Sequence, residues 1–193
     1  MFRRMGERAV RIARRLRSDP SSGAWRRQSF GWAPVVGALA GLLAATTVVT
    51  PRPWLIWNVS ASAPLGLYAV EAGAPARGDL VAARVPAAWR AFGGARGYIP
   101  VNVPLIKRVA ALGGDWVCSD SAGIWVNGRF AAARRLVDGA GLPMPFWHGC
   151  TPLAPGEYLL LMNKADSFDG RYFGKTGPGD IIGKVELLWE RRK

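Results

Sequence analysis

The stretch PLIKRVAALGGD, residues 104–115, is the run on which the reading of this chain turns. Its centre, LIKRVAAL, is short, rich in β-formers and bounded by Pro104 and Gly113, which marks a strand. In strand alternation Lys107 points with Leu105 and Val109. An amine held against an apolar wall has its charged form disfavoured, so its pKa falls and it becomes a base near neutral pH. Read alone, such a lysine is more often one that snorkels from an edge strand. The surrounding chain has to decide between the two.

Outward from this strand, LYAVEA, DLVAARV, GIWVNGRF, EYLLLMN and IIGKVELLW are further short β-rich runs bounded by Gly, Pro, Asn or Asp. Asn127–Gly128 is a strong two-residue hairpin signal. Ala87–Gly94 reads as a short helix or a loop. Residues 51–193 are therefore expected to form one mainly β, antiparallel domain, large enough for a real core.

The other end of the chain is different. Residues 1–29 carry nine arginines against Glu7 and Asp19, and Phe2, Met5, Ala9, Ile12 and Leu16 fall at helical spacing among them. That is a basic amphipathic segment suited to an anionic lipid leaflet. From Phe30 to Thr50 the run FGWAPVVGALAGLLAATTVVT has 21 residues and no charge. It is expected to be a transmembrane helix, with the arginine-rich end cytoplasmic and the β domain on the periplasmic face of a bacterial inner membrane. A cleaved signal peptide is the competing reading, and Arg26–Arg27 gives only a faint twin-arginine signal. The net charge of +13 points to the phospholipid bilayer as partner. Aromatic residues do not interleave with the N-terminal arginines and no nucleic-acid motif occurs, so nucleic acid is not expected.

Cys118 and Cys150 fall on the expected outer side, where a disulfide between them would persist and close a loop around the Asn127–Gly128 turn. Two cysteines and one histidine, His148, cannot make an ordinary zinc site. No metal and no other cofactor is expected.

Three blocks carry chemistry. In NVSASAPLGLY, residues 58–68, Pro64 and Gly66 impose a bend that can present the Ser62 hydroxyl. The Lys107 strand supplies an amine able to take a serine proton without histidine. In LMNKADSFDGRYFG, residues 161–174, Ser167, Asp169 and Arg171 alternate along an extended segment as a polar network would.

Taken in order, SxS before a proline, GDLV (78–81), IKRVxxLGGD, DSFDGRYFG and a final IIGKV resemble the signal peptidase I superfamily over roughly residues 58–185. The form Ser62-Ala63-Pro64-Leu65-Gly66-Leu67-Tyr68 is most similar to the TraF-type peptidases of conjugative transfer systems. The resemblance implies that Ser62 is the nucleophile and Lys107 the general base. It implies that Ser60, with the Ser62 amide, holds the oxyanion, and that Ser167 orients the lysine. Asp169 and Arg171 would brace the site from behind. Two departures stand out. Pro64 follows Ser62 by two residues where the ordinary signal peptidase motif has three, which favours the TraF-like branch. Gly170 replaces a common serine, a change expected to matter little.

The implied activity is a membrane-anchored serine endopeptidase that trims a membrane-inserted pilin precursor, its acyl-enzyme resolved either by water or by an amine of the same substrate, which would join the new ends into a ring. Its rivals are a general type I signal peptidase acting on secreted preproteins and a non-catalytic component of a secretion channel. A self-cleaving regulator would need a DNA-binding module for which residues 1–29 are too short.

Overall fold

A computed structural model describes residues 31–48 and 52–191 of the chain. The chain divides into two units, Met1–Pro51 and Arg52–Lys193. In the first, one helix is described, α1 (Ala33–Val48), 16 residues long and apolar on every side. At 1.5 Å per residue it is about 24 Å long, short of the roughly 30 Å of hydrocarbon in a bilayer. No helix among the described residues is long and apolar enough to cross a membrane. This overturns the expected transmembrane anchor over residues 30–50. With it fall the single-pass inner-membrane topology, the cytoplasmic N-terminus and the periplasmic placement of the β domain. The physical lesson is that absence of charge over 21 residues measures polarity, not helix length. The basic amphipathic segment expected over residues 1–29 lies outside the described residues.

The second unit is mainly antiparallel β, as the alternation predicts. Its strands are β1 (Leu55–Asn58), β2 (Gly66–Glu71), β3 (Leu80–Ala83), β4 (Leu105–Leu112), β5 (Trp116–Ser119), β6 (Gly123–Val126), β7 (Arg129–Ala133), β8 (Gly149–Pro152), β9 (Tyr158–Leu161) and β10 (Ile181–Glu190). Between β3 and β4 lies α2 (Ala87–Ala95), and the single turn α3 (Gly170–Phe173) follows β9. One sheet has the order β1-β2-β10-β3-β4-β9 and the other β7-β6-β5-β8. The hairpin expected at Asn127–Gly128 joins β6 and β7, and both turn residues have positive φ, 49° and 75°.

Strand β10 stitches the six-stranded sheet together, pairing with β2 on one side and β3 on the other. Gly66 permits the tightest part of this join. A Cβ there would lie 2.0 Å from the Trp189 carbonyl oxygen, and φ is +154°, so only glycine fits. Strand β4 lies between β3 and β9, with Lys107 opposite Val81. Its neighbours divide among three apolar clusters: Leu105 with Phe168 and Tyr172, Ile106 with Ile56, Ala63 and Tyr68, and Val109 with Val81 and Leu160. The strand that carries the lysine is thus the middle of the core.

The Cys118–Cys150 disulfide is formed, with an S–S distance of 2.04 Å. It joins residues directly opposite each other on β5 and β8. The loop before β8 packs toward α3: Met144 shares the apolar cluster of Phe168 and Tyr172, and the Trp147 indole Nε1–H donates to the Gly170 carbonyl at 3.1 Å.

Candidate active site

The turn after β1 is built by a residue that sequence reasoning left without a role. Asn58, the last residue of β1, is 6 % exposed. Its Nδ2 faces the carbonyl oxygens of Ser60 at 3.0 Å, Ala63 at 3.3 Å and Pro64 at 2.9 Å, and its Oδ1 accepts from the Ser60 amide at 3.0 Å. The Tyr68 hydroxyl adds a donor to Pro64 O at 2.8 Å from strand β2. Three carbonyls that no strand partner satisfies are therefore held by side chains. The signal available in the sequence was a polar residue closing an apolar strand four places before Ser62. It indicates burial only once the chain is known to fold back over it.

Inside this clamp the hydroxyls of Ser60 and Ser62 are 3.0 Å apart, and the Ser62 amide points at Ser60 Oγ at 3.5 Å. The two groups expected to receive an oxyanion thus bond to each other and to the Ser62 hydroxyl.

Lys107 is 1 % exposed, which disposes of the snorkelling alternative. Its Nζ lies 2.7 Å from Ser62 Oγ and 2.8 Å from Ser167 Oγ. Burial lowers its pKa to about 8; Asp169 opposes that fall, Arg171 adds to it, Asp166 opposes it and Lys164 adds to it. Burial is the largest of these effects, as for any amine withdrawn from water. At neutral pH roughly a tenth of such an amine is unprotonated, against a negligible fraction of an ordinary lysine.

Asp169 and Arg171 stand behind the amine. Asp169 is the N-cap of α3 and fully buried. Its Oδ1 accepts from the Arg171 amide at 3.1 Å and its Oδ2 from the Met162 amide at 3.0 Å. Burial pushes the Asp169 carboxyl up, while Arg171 and then Lys107 pull it down. The Arg171 guanidinium lies 3.4 Å from Asp169 Oδ1 and donates to the carbonyls of Lys164 at 2.8 Å, Ala165 at 3.3 Å and Met162. One buried ion pair thereby fixes the loop 162–167 that ends at Ser167. The expected network of Ser167, Asp169 and Arg171 is a contiguous cluster in the structure.

Gly170 matters more than the sequence suggests. A Cβ there would lie 2.9 Å from the Leu160 carbonyl oxygen and 2.8 Å from Leu159 Cδ1. The loop can pass this close to β9 only without a side chain, so a serine does not fit at this position.

Beside Ser62 runs an open groove of about 470 Å³, lined by Ala61–Leu65 and by Lys164, Glu190 and Arg191. Trp54, Leu55, Trp57 and Val59 in and beside β1, and Leu188 and Trp189 near the end of β10, are exposed, with Trp57 and Trp189 stacked at 5.6 Å. Among the described residues no group of His, Cys, Asp and Glu could hold a metal ion.

The family described as "Signal peptidase, peptidase S26" matches residues 27–190. The plasmid transfer protein TraF of Escherichia coli is 34 % identical over 146 residues, 68 % of this chain and 82 % of that one. The conjugal transfer protein TraF of Agrobacterium fabrum is 34 % identical over 143 residues, 65 % of this chain and 77 % of that one. A crystal structure of a signal peptidase I from Enterococcus faecalis aligns with 60 % of this chain and all of its own at 18 % identity and a TM-score of 0.36. The chain belongs to the signal peptidase S26 family, and within it the TraF proteins of conjugal transfer support the TraF-type branch.

Proposed function

We propose that this S26 peptidase is a serine endopeptidase whose dyad is Ser62 and Lys107, and that its substrate is a membrane-inserted pilin precursor of a conjugative transfer system. The observation that carries the reading is the buried Lys107 amine, 2.7 Å from Ser62 Oγ and 2.8 Å from Ser167 Oγ. An unprotonated amine has one lone pair and two N–H groups. In the working state the Ser62 O–H donates to that lone pair, and one lysine N–H donates to Ser167 Oγ.

Ser62 Oγ attacks the scissile carbonyl carbon while its proton passes to Lys107 Nζ. The oxyanion is received by the Ser62 amide N–H and by the Ser60 hydroxyl, which exchanges its bond to Ser62 for one to the developing charge. Asp169, the acid beside Lys107, favours the lysine ammonium at this moment. That ammonium then protonates the leaving nitrogen, the C–N bond breaks and the acyl-serine remains. Water resolves it to a linear peptide; the amino terminus of the same substrate resolves it to a ring.

The pilin substrate and the ring closure rest on similarity to proteins named for plasmid and conjugal transfer, together with the spacing of Ser62 and Pro64. Mass spectrometry of a candidate pilin from cells carrying the natural protein or Ser62→Ala tests both points. The expected result is a trimmed peptide one water lighter than its linear form, replaced by the untrimmed precursor in the Ser62→Ala strain. Normal trimming by Ser62→Ala overturns the dyad; a linear product alone overturns ring closure.

A further inference from the structure

The groove beside Ser62 carries three charged side chains, and two of them are unspent. The Glu190 carboxylate and the Arg191 guanidinium have no hydrogen-bond or ion-pair partner among the described residues. Lys164 has only the exposed Asp166, at 3.6 Å. Charges in an open groove gain nothing from one another here, so their complement has to come from what the groove receives.

The backbone that carries these side chains is anchored to the turn of Ser62. Glu190 pairs in register with Gly66, and the Arg191 amide donates to the Leu65 carbonyl at 2.8 Å. Leu65 and Gly66 are the third and fourth residues after Ser62. The close approach of Trp189 O to Gly66 leaves this join no slack. The Lys164 carbonyl is likewise held, at 2.8 Å, by the buried Arg171. The charges therefore rise from anchored backbone in the groove that Ser62 lines. The influence of Glu190 reaches the turn itself: it adds to burial in raising the Tyr68 phenol.

We propose that this groove reads substrate charge: Glu190 receives a cationic group and Arg191, with Lys164, an anionic one, so the peptide cleaved carries charged residues of both signs close to the scissile bond. The proposal rests on Ser62 being the nucleophile. It narrows the substrate class from any peptide with a small residue at the cut to peptides with a matched pair of charges around it. Exposed ion pairs are weak, which sets the size of the preference at about three- to five-fold in kcat/KM for each sign.

The test is cleavage of a randomised peptide library by the full chain, with the products sequenced by mass spectrometry. The natural enzyme should enrich Lys and Arg at one position and Asp and Glu at another, by about three- to five-fold each. Glu190→Lys should reverse the basic position only, and Arg191→Glu the acidic position only. Both preferences should collapse at about 1 M salt, where screening acts within roughly 3 Å. A charge-blind profile from the natural enzyme, or variant profiles identical to it, overturns the proposal. Cleavage by Ser62→Ala in the same library would instead bring down the dyad on which it rests, so the two failures are distinguishable.

Discussion

Lys107 Nζ and Ser167 Oγ lie 2.8 Å apart in the interior, joining strand β4 to the loop that Arg171 fixes. The serine occupies one side of the amine and leaves Ser62 the other. Ser167→Ala removes no apolar contact and opens little space, so the fold should survive. The amine then has one partner and can swing away from Ser62. Turnover should fall roughly 10- to 100-fold with KM nearly unchanged, since a misplaced base loses part of the 10²–10⁴ it supplies. Steady-state kinetics on a pilin-derived peptide check this.

Activity should depend on pH through Lys107. In the proposed mechanism the base is the free amine, whose pKa burial lowers to about 8. Below that value kcat/KM should rise tenfold per pH unit, and above it the rate should level off. Lys107→Arg should be inactive across the range, because a guanidinium does not lose its proton. A flat profile between pH 6 and pH 8, read by stopped-time assays, would remove Lys107 as the base.

Asn58 is predicted to couple folding to catalysis. Asn58→Ala strands the Ala63 carbonyl and the Ser60 amide, and leaves Pro64 O to the Tyr68 hydroxyl and Ser60 O to the Ala63 amide at 3.4 Å. Loss of buried hydrogen bonds of this kind costs about 1–3 kcal/mol. Denaturant unfolding should register that loss, and labelling of Ser62 by an acylating inhibitor should slow by more than the unfolded fraction explains. Asn58→Asp keeps the acceptor but loses the donors, and should not rescue the labelling rate.

Gly170→Ser introduces the serine that the sequence resemblance leads one to expect here and should nevertheless destabilise this protein. The new Cβ meets a backbone oxygen at 2.9 Å. Overpacking of this sort costs about 1–3 kcal/mol. The melting temperature should drop by several degrees, and activity should fall with it, because Ser167 and Asp169 sit on the displaced loop.

The disulfide closes a loop with a sequence separation of 32 residues. Chain-entropy reasoning gives such a cross-link about 3–4 kcal/mol of stability. Reduction, or the double change Cys118→Ala with Cys150→Ala, should lower the denaturant midpoint accordingly. The bond spans β5 and β8, and the loop running into β8 leans on Gly170 through Trp147. A loss of turnover at temperatures where the protein remains folded should therefore accompany it.

Local chemistry was legible in the sequence, and long-range pairing was not. Strand β4 runs from Leu105 to Leu112 as its Pro and Gly boundaries predict, and the Asn127–Gly128 hairpin is where two positive-φ residues put it. Strands β1, β5 and β8 were missed. The first is only four residues long and follows closely on Pro51 and Pro53. The other two are four residues each, and β8 contains a proline tolerated because it is an edge strand. The insertion of β10 between β2 and β3 could not be read, since no local pattern encodes a partner more than a hundred residues away. The same holds for the site. Ser62, Lys107 and Ser167 could be singled out by type and order, whereas the Asn58 clamp depends on a turn geometry that exists only after folding.

Gly66 admits Trp189 O so closely that the Ser62 turn is sealed by β10, a strand that leaves the ribosome well after it. A ribosome therefore delivers Ser62 early and its enclosure late. Until β10 emerges, the serine turn lacks its neighbouring strand and the groove lacks one wall. A partly made chain holds Ser62 and Lys107 without the frame that aligns them. On the proposed dyad, such a partly made chain should therefore be inactive.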